Sequence, residues 1–246
     1  MAFIQLNYRS AAVKTAVNLV VYLPISSHMG HQHPAFPDGR KYQVLWLLHG
    51  GQGDANDFIK YSNVLRHAEE NRLALVIPSC PAKFYDQPWF DCVTEELPRF
   101  LQSLLPLSSK PQDNFIAGLS HGGDCALRAV LEKPEKYGAA LVMSAAGTTH
   151  RADIENHLLF DVYGLAQKNI AAGLKLPQLI FATGSGDRGF PHYVPVIDRL
   201  EELGIPVMRH YVERDGHSWR FWDSTLQLAM EQLLPLQHDL VIPRQQ

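Results

Sequence analysis

Long apolar runs are missing from this chain of 246 residues. None approaches the roughly 20 residues that a membrane-crossing helix needs, so no transmembrane segment is expected. The first nine residues lack a basic start, an apolar core and a small-residue cleavage site, so no signal peptide is expected either. An excess of one charge is also absent. The net charge is −3 with both signs interspersed, which leaves no footprint for nucleic acid. Cysteine is scarce: Cys80, Cys92 and Cys125 are odd in number and have no CxxC spacing. A disulfide framework or a zinc site is therefore not expected, and reduced, buried thiols in a cytoplasmic protein are the simpler account. Cys125 lies five residues past a far better nucleophile, and small apolar packing suffices to explain it. Internal repeats and low-complexity segments are absent too.

What remains is an ordinary globular composition, 46% hydrophobic and 19% charged. A single α/β domain over residues 1–246 fits that length. Short β-rich runs alternate with longer helical ones, the pattern of a mostly parallel sheet with helices on both faces. Strands are expected at 2–8, 15–23, 43–48, 73–78, 114–117, 139–144, 178–183 and 207–212, about eight in all. The first two, joined by a short polar segment, read as an antiparallel hairpin. The later ones are continuous apolar runs, as strands covered on both faces require. Helices are expected at 55–71, 93–105, 121–133, 194–203 and 218–234, with Gly204 as a C-cap and Pro134 and Pro235 as stops. Residues 26–41, rich in His, Pro and Gly, read as a surface loop. Residues 145–176 break the alternation and are expected to be an insertion that shapes or covers a pocket.

The most informative stretch is Gly118-Leu119-Ser120-His121-Gly122, a G-x-S-x-G pattern after a short apolar strand and before a helix. A serine on a sharp strand-to-helix turn needs neighbours without side chains, and the following helix N-terminus favours a developing negative charge. Such a serine needs a base, an acid to orient the base, and donors for an oxyanion. His217, on the loop between the last strand and the last helix, is the candidate base. Asp187, just past the seventh strand, is the candidate acid. Its rival Asp215 sits two residues before His217, where adjacent backbone makes it hard to reach Nδ1 while Nε2 faces Ser120. The order Ser, Asp, His is that of α/β-hydrolases. The backbone N–H of His121 is one candidate oxyanion donor. The other is the amide of Gly51, in the segment His49-Gly50-Gly51 after the third strand. Read plainly, that segment is a glycine turn, and both readings are compatible.

These segments resemble the esterase D, or putative esterase, group of α/β-hydrolases, which includes S-formylglutathione hydrolases, feruloyl and acetylxylan esterases, and small tributyrin esterases. The similarity runs over Val44–Gly51, Ala117–Gly123, Gly184–Asp187 and Gly216–Trp219, within residues 2 to 235. It implies an α/β-hydrolase fold with Ser120 as nucleophile, Asp187 and His217 as its partners, and Gly51 and His121 as oxyanion donors. It implies a serine carboxylesterase acting on short-chain acyl esters, including acetyl-sugar or feruloyl esters, with no cofactor and no metal. Thioester hydrolysis or acyl transfer on the same machinery stays open, and a catalytically silent binding protein is the remote alternative. One position departs from the group. Methionine often follows the nucleophile there, whereas this chain has His121, whose ring either faces the pocket or bonds a neighbouring backbone group.

Secondary candidates carry less. Phe84, Tyr85, Trp89 and Phe90 follow the fourth strand and offer an aromatic substrate wall, with core packing as the competing account. Trp46 and Trp219 lie beside the motifs, with Trp219 a candidate substrate contact. His28, His31 and His33 form a His-rich loop segment that solvation explains more simply than a metal does. The expected partner is a small-molecule ester, neither nucleic acid nor membrane, and self-association is left open.

Overall fold

The computed structural model describes residues 1–25, 27–28, 31–32, 41–80, 86–145 and 160–237. Eight strands form one sheet: β1 (Ala2–Arg9), β2 (Ala16–Leu23), β3 (Val44–Leu48), β4 (Ala74–Pro78), β5 (Asn114–Leu119), β6 (Ala139–Met143), β7 (Gln178–Gly184) and β8 (Val207–Val212). Their spatial order is β1-β2-β4-β3-β5-β6-β7-β8. The first two pair as the expected antiparallel hairpin, and β2 joins β4 antiparallel. From β4 to β8 every pairing is parallel. A two-residue ribbon, Ser27–His28 with His31–Gln32, stands apart.

Burial explains the residue choice. β1 alternates half-buried Ile4, Leu6 and Tyr8 with exposed positions, as an edge strand with one wet face must. β3, β4, β5 and β6 are buried throughout, and their alternate residues feed two cores. Val44, Trp46 and Leu48 face one core, while Leu45 and Leu47 face the other. Two buried layers need helices on both faces. They are α1 (Ala55–Tyr61), α2 (Val64–Glu70), α3 (Gln87–Asp91), α4 (Leu97–Leu104), α5 (His121–Glu132), α6 (Val162–Ala171), α7 (Phe190–Glu202) and α8 (Trp219–Leu228).

Several helix boundaries differ from the sequence expectation, each for a local reason. The helix expected at 55–71 breaks at Ser62, whose backbone is extended. Asn63 then docks on Asp223 of α8, giving its N–H and its side-chain amide to the two carboxylate oxygens, both at 2.8 Å. The helix expected at 93–105 begins earlier, with α3 passing through a π-turn at Cys92–Glu96 into α4. Pro98 has no N–H for the Thr94 carbonyl, and Lys136 Nζ donates to that oxygen instead at 3.1 Å. The helix α7 begins at Phe190 and carries Pro195 inside it, while Gly204 follows at φ +83° in the capping position expected.

The second half of the segment 145–176 forms α6, which packs through Val162 and Ala166 into the core and through Asn169 Nδ2 onto the Leu131 carbonyl at 2.8 Å. That helix restores the alternation between β6 and β7; residues 146–159 lie outside the described residues. No described helix is long and apolar enough to cross a membrane.

Candidate active site

β5 runs into α5 through Ser120, whose φ of +54° and ψ of −123° are costly for a residue with a Cβ. Neighbours hold it there. Ser120 donates its N–H to the Met143 carbonyl at 2.9 Å, and its own carbonyl accepts from the Asp124 amide at 3.1 Å. The two motif glycines are steric requirements. A Cβ on Gly118 would lie 2.1 Å from the Gly122 carbonyl oxygen, and one on Gly122 would lie 2.2 Å from the Leu48 oxygen. Ser120 itself remains partly exposed.

The candidate acid and base are brought together directly. His217 Nδ1 and Asp187 Oδ2 are 2.9 Å apart. A carboxylate only accepts, so Nδ1 carries the proton and Nε2 is the basic nitrogen of the neutral ring. Backbone zips their loops: Gly186 N–H donates to Asp215 O at 2.7 Å and Ser185 N–H to Val212 O at 3.0 Å. Gly184 is needed there, because its Cβ would meet the Asp215 oxygen at 2.1 Å. The Asp187 carboxylate is buried, which works to raise its pKa. Donors from His217, the Gly189 amide and Ser144 outweigh burial and hold it below the usual carboxylate range. The rival Asp215 turns elsewhere, to Arg220 at 3.1 Å and the Gly216 amide at 3.1 Å.

Two side chains that sequence reasoning passed over support this pair. Trp222 lies edge-on to the His217 ring, centroids 4.8 Å apart at 85°, and its Nε1–H donates to Ser144 Oγ at 3.1 Å. Ser144 is buried at the end of β6 with φ +43° and touches the Asp187 carboxylate. One tryptophan thus contacts the imidazole directly and the carboxylate through a hydroxyl. No sequence pattern marks either residue, since both fall inside ordinary strand and helix runs.

The loop after β3 closes the other side. A Cβ on Gly50 would lie 3.4 Å from Ser120 Cβ, and one on Gly51 would lie 2.6 Å from His121 Cδ2. The His121 ring therefore covers Gly51 rather than pointing away from the site. Burial lowers its pKa, and the nearby His217 lowers it further, both favouring the neutral ring. Buried His49 spans the neighbouring loops: its Nδ1 is 2.7 Å from the Gly50 carbonyl oxygen and its Nε2 accepts the Cys80 N–H at 2.8 Å. Ser120 and His217 are not hydrogen-bonded to one another, and sites of this type often tighten only with substrate present.

The secondary residues sort by burial. Trp89 and Phe90 lie in the core, the latter under the Arg128 guanidinium at 3.9 Å. Trp46 is buried with its Nε1–H on Asn114 Oδ1 at 3.0 Å. Trp219 is partly buried and packs edge-on against Phe58 and Trp222. Phe84, Tyr85, His33 and the side chains of His28 and His31 lie outside the described residues. Cys80, Cys92 and Cys125 are buried thiols outside any disulfide, and burial pushes the Cys125 thiol well up. Among the described residues no group of three or more His, Cys, Asp or Glu is arranged to hold a metal ion.

Comparison with known proteins agrees with this fold. The model of the family described as Putative esterase matches residues 10–156. An acetyl esterase of Caldicellulosiruptor saccharolyticus is 24% identical over 261 residues, covering 94% of this chain and 97% of that protein. The crystal structure of an S-formylglutathione hydrolase from Staphylococcus aureus superposes with a TM-score of 0.82 at 26% identity, covering 95% of this chain and 98% of the other. The substrate-bound structure of fluorophosphonate-binding serine hydrolase F from Staphylococcus aureus gives 0.80 at 25% identity, with coverage of 95% and 98%. With a strained serine at the strand-to-helix turn, a histidine–aspartate pair on the adjoining loops and this likeness over nearly the whole chain, the protein belongs to the Putative esterase family of α/β-hydrolases and is a serine carboxylesterase.

Proposed function

We propose that Ser120, His217 and Asp187 act as nucleophile, general base and orienting acid in the hydrolysis of short-chain acyl esters. The observation that carries this reading is the 2.9 Å bond between His217 Nδ1 and Asp187 Oδ2, at the sheet edge where Ser120 sits on its strained turn. Ser120 Oγ attacks the ester carbonyl carbon while His217 Nε2 takes its proton. The amides of Gly51 and His121 hold the resulting oxyanion. The intermediate collapses, the C–O bond to the alcohol breaks, and His217 Nε2 returns the proton to the leaving oxygen. Water then loses a proton to His217 and attacks the acyl carbon. The Ser120 ester bond breaks, the serine is reprotonated and the carboxylic acid leaves. No step calls on a cofactor.

The acetyl esterase among the relatives favours a small acyl group, and the S-formylglutathione hydrolase likeness favours thioester hydrolysis as the second reading. Ser120→Ala is expected to lower turnover of p-nitrophenyl acetate by about 10⁴-fold or more, and near wild-type turnover would overturn the assignment. Rates across acyl chains from formyl to octanoyl, with thioester, acetyl-sugar and feruloyl substrates alongside, decide the substrate class. Addition of competing alcohols separates hydrolysis from acyl transfer. Three reduced, buried thiols favour a cytoplasmic location, which fractionation of the producing cell tests. Light scattering on the purified protein tests self-association.

A further inference from the structure

We propose that His49 is a positioning residue that aims the Gly51 amide at the oxyanion, an inference that rests on the ester-hydrolysing site proposed above. The Cys80 N–H can only donate, and it lies 2.8 Å from His49 Nε2. Nε2 must therefore be bare, and in the neutral ring the proton sits on Nδ1. That Nδ1–H donates to the Gly50 carbonyl at 2.7 Å, and the Gly53 N–H reaches the same oxygen at 3.3 Å. Burial lowers the His49 pKa against the opposing pull of the Gly50 hydrogen bond, Asp57 and Asp54, which favours the neutral ring, and its two hydrogen bonds select the tautomer.

The Gly50 carbonyl and the Gly51 N–H belong to one peptide unit. The peptide is trans, and in a trans peptide the two groups point in opposite directions. Pinning the oxygen toward His49 and Gly53 turns the N–H the other way. The flanking α-carbons sit beside Ser120 and His121, because a Cβ on Gly50 would approach Ser120 Cβ and one on Gly51 would strike the His121 ring. Glycines rotate freely and cannot hold such a plane alone. Asp57 and Asp54 hold the rest of the turn through the α1 capping box. The Cys80 N–H gives His49 its own anchor just past β4, so the turn after β3 is tied to the end of β4 through one ring.

Two amide side chains separate the halves of this role. Asn places a donor near Nδ1, whereas Gln places an amide near Nε2. His49→Asn is expected to keep kcat for p-nitrophenyl acetate within about fivefold. His49→Gln is expected to lose about 10- to 100-fold in kcat, approaching the loss of a whole oxyanion donor, with KM within about twofold. Affinity for an alkyl boronic acid, which mimics the tetrahedral state, should fall in parallel with kcat. Labelling of Ser120 by a fluorophosphonate should persist in both variants. Equal losses in the two variants, or a loss in KM alone, overturn the proposal. So does activity that tracks the melting temperature rather than the side chain. The wild-type protein offers an independent reading: ¹⁵N-detected imidazole spectra, with the ring assigned through its coupling to the Cys80 amide proton, must show Nδ1–H and bare Nε2. The opposite tautomer overturns it even if neither variant folds. Active Ser120→Ala protein would sink the ester-hydrolysing site itself, whereas inactive Ser120→Ala with fully active His49→Gln sinks only the role of His49.

Discussion

The two halves of the site are built by different means. Around Ser120, geometry is imposed by backbone pressed against backbone: Gly118 on Gly122, Gly122 on Leu48, Ser120 N–H on Met143. Around His217 and Asp187, geometry is imposed by side chains: Trp222 against His217, Trp222 through Ser144, Ser144 and the Gly189 amide on Asp187. The first kind of support tolerates no added atom, because close packing leaves nowhere for it to go. The second is a set of separable hydrogen bonds and contacts, each of modest worth. Damage to the first half should therefore appear as lost folding, and damage to the second as graded loss of turnover in a folded protein.

Asp187→Asn tests that contrast most severely. The amide no longer enforces the tautomer with Nδ1 protonated, so kcat for p-nitrophenyl acetate should fall about 10³- to 10⁴-fold. The melting temperature should stay within a few degrees. A collapse of the fold instead would erase the distinction. Gly122→Ala sits on the other side. Its Cβ would lie 2.2 Å from the Leu48 oxygen, and the strain should cost about 3 kcal/mol in urea unfolding. Native-like stability with low activity would show the turn to be as separable as the acid–base pair.

A smaller effect is expected at Trp222→Phe, which keeps a ring against His217 but removes the N–H to Ser144. Loss of one hydrogen bond of about 1 kcal/mol corresponds to about fivefold in kcat. Ser144→Ala, which also removes the bond to Asp187, should lose at least as much, and the double variant should be no worse than Ser144→Ala alone, since both break one chain of contacts. Additive losses would separate the two residues.

The least conspicuous effect is on acid stability. The His49 pKa is lowered from its ordinary 6.5. The unfolded chain therefore takes up the proton first as the pH falls. Stability from this group is complete above 6.5 and is lost as the pH drops from 6.5 through the lower folded value. Urea unfolding between pH 7.5 and 5.0 should show the loss, at most about 1.4 kcal/mol per pH unit for one proton. His49→Asn should flatten the slope. Asp187 acts in a separate window, because its depressed pKa costs stability only as the pH falls below about 3.8.

Legibility followed the same division. Eight strands were readable because buried parallel strands demand continuous apolar runs, and the hairpin β1–β2 because one wet face demands alternation. Helix ends were less readable. The break at Ser62 is held by Asp223, 160 residues away from Asn63, and the π-turn before Pro98 is relieved by Lys136. Trp89 had two readings, pocket wall and core, and three-dimensional packing put it in the core.

By itself, then, the sequence determined the layered α/β architecture, the strained turn at Ser120 and the order of its partners. Glycine at a crowded position, apolar alternation and a polar residue after a strand each act over a few residues, so each leaves a local mark. Only the tertiary structure decided that the His49 ring lies between the Gly50 carbonyl and the Cys80 amide, and that Trp222 and Ser144 brace His217 and Asp187. Those facts depend on partners 31 and 78 residues apart, and a side chain carries no sign of its partner until the sheet brings the two together.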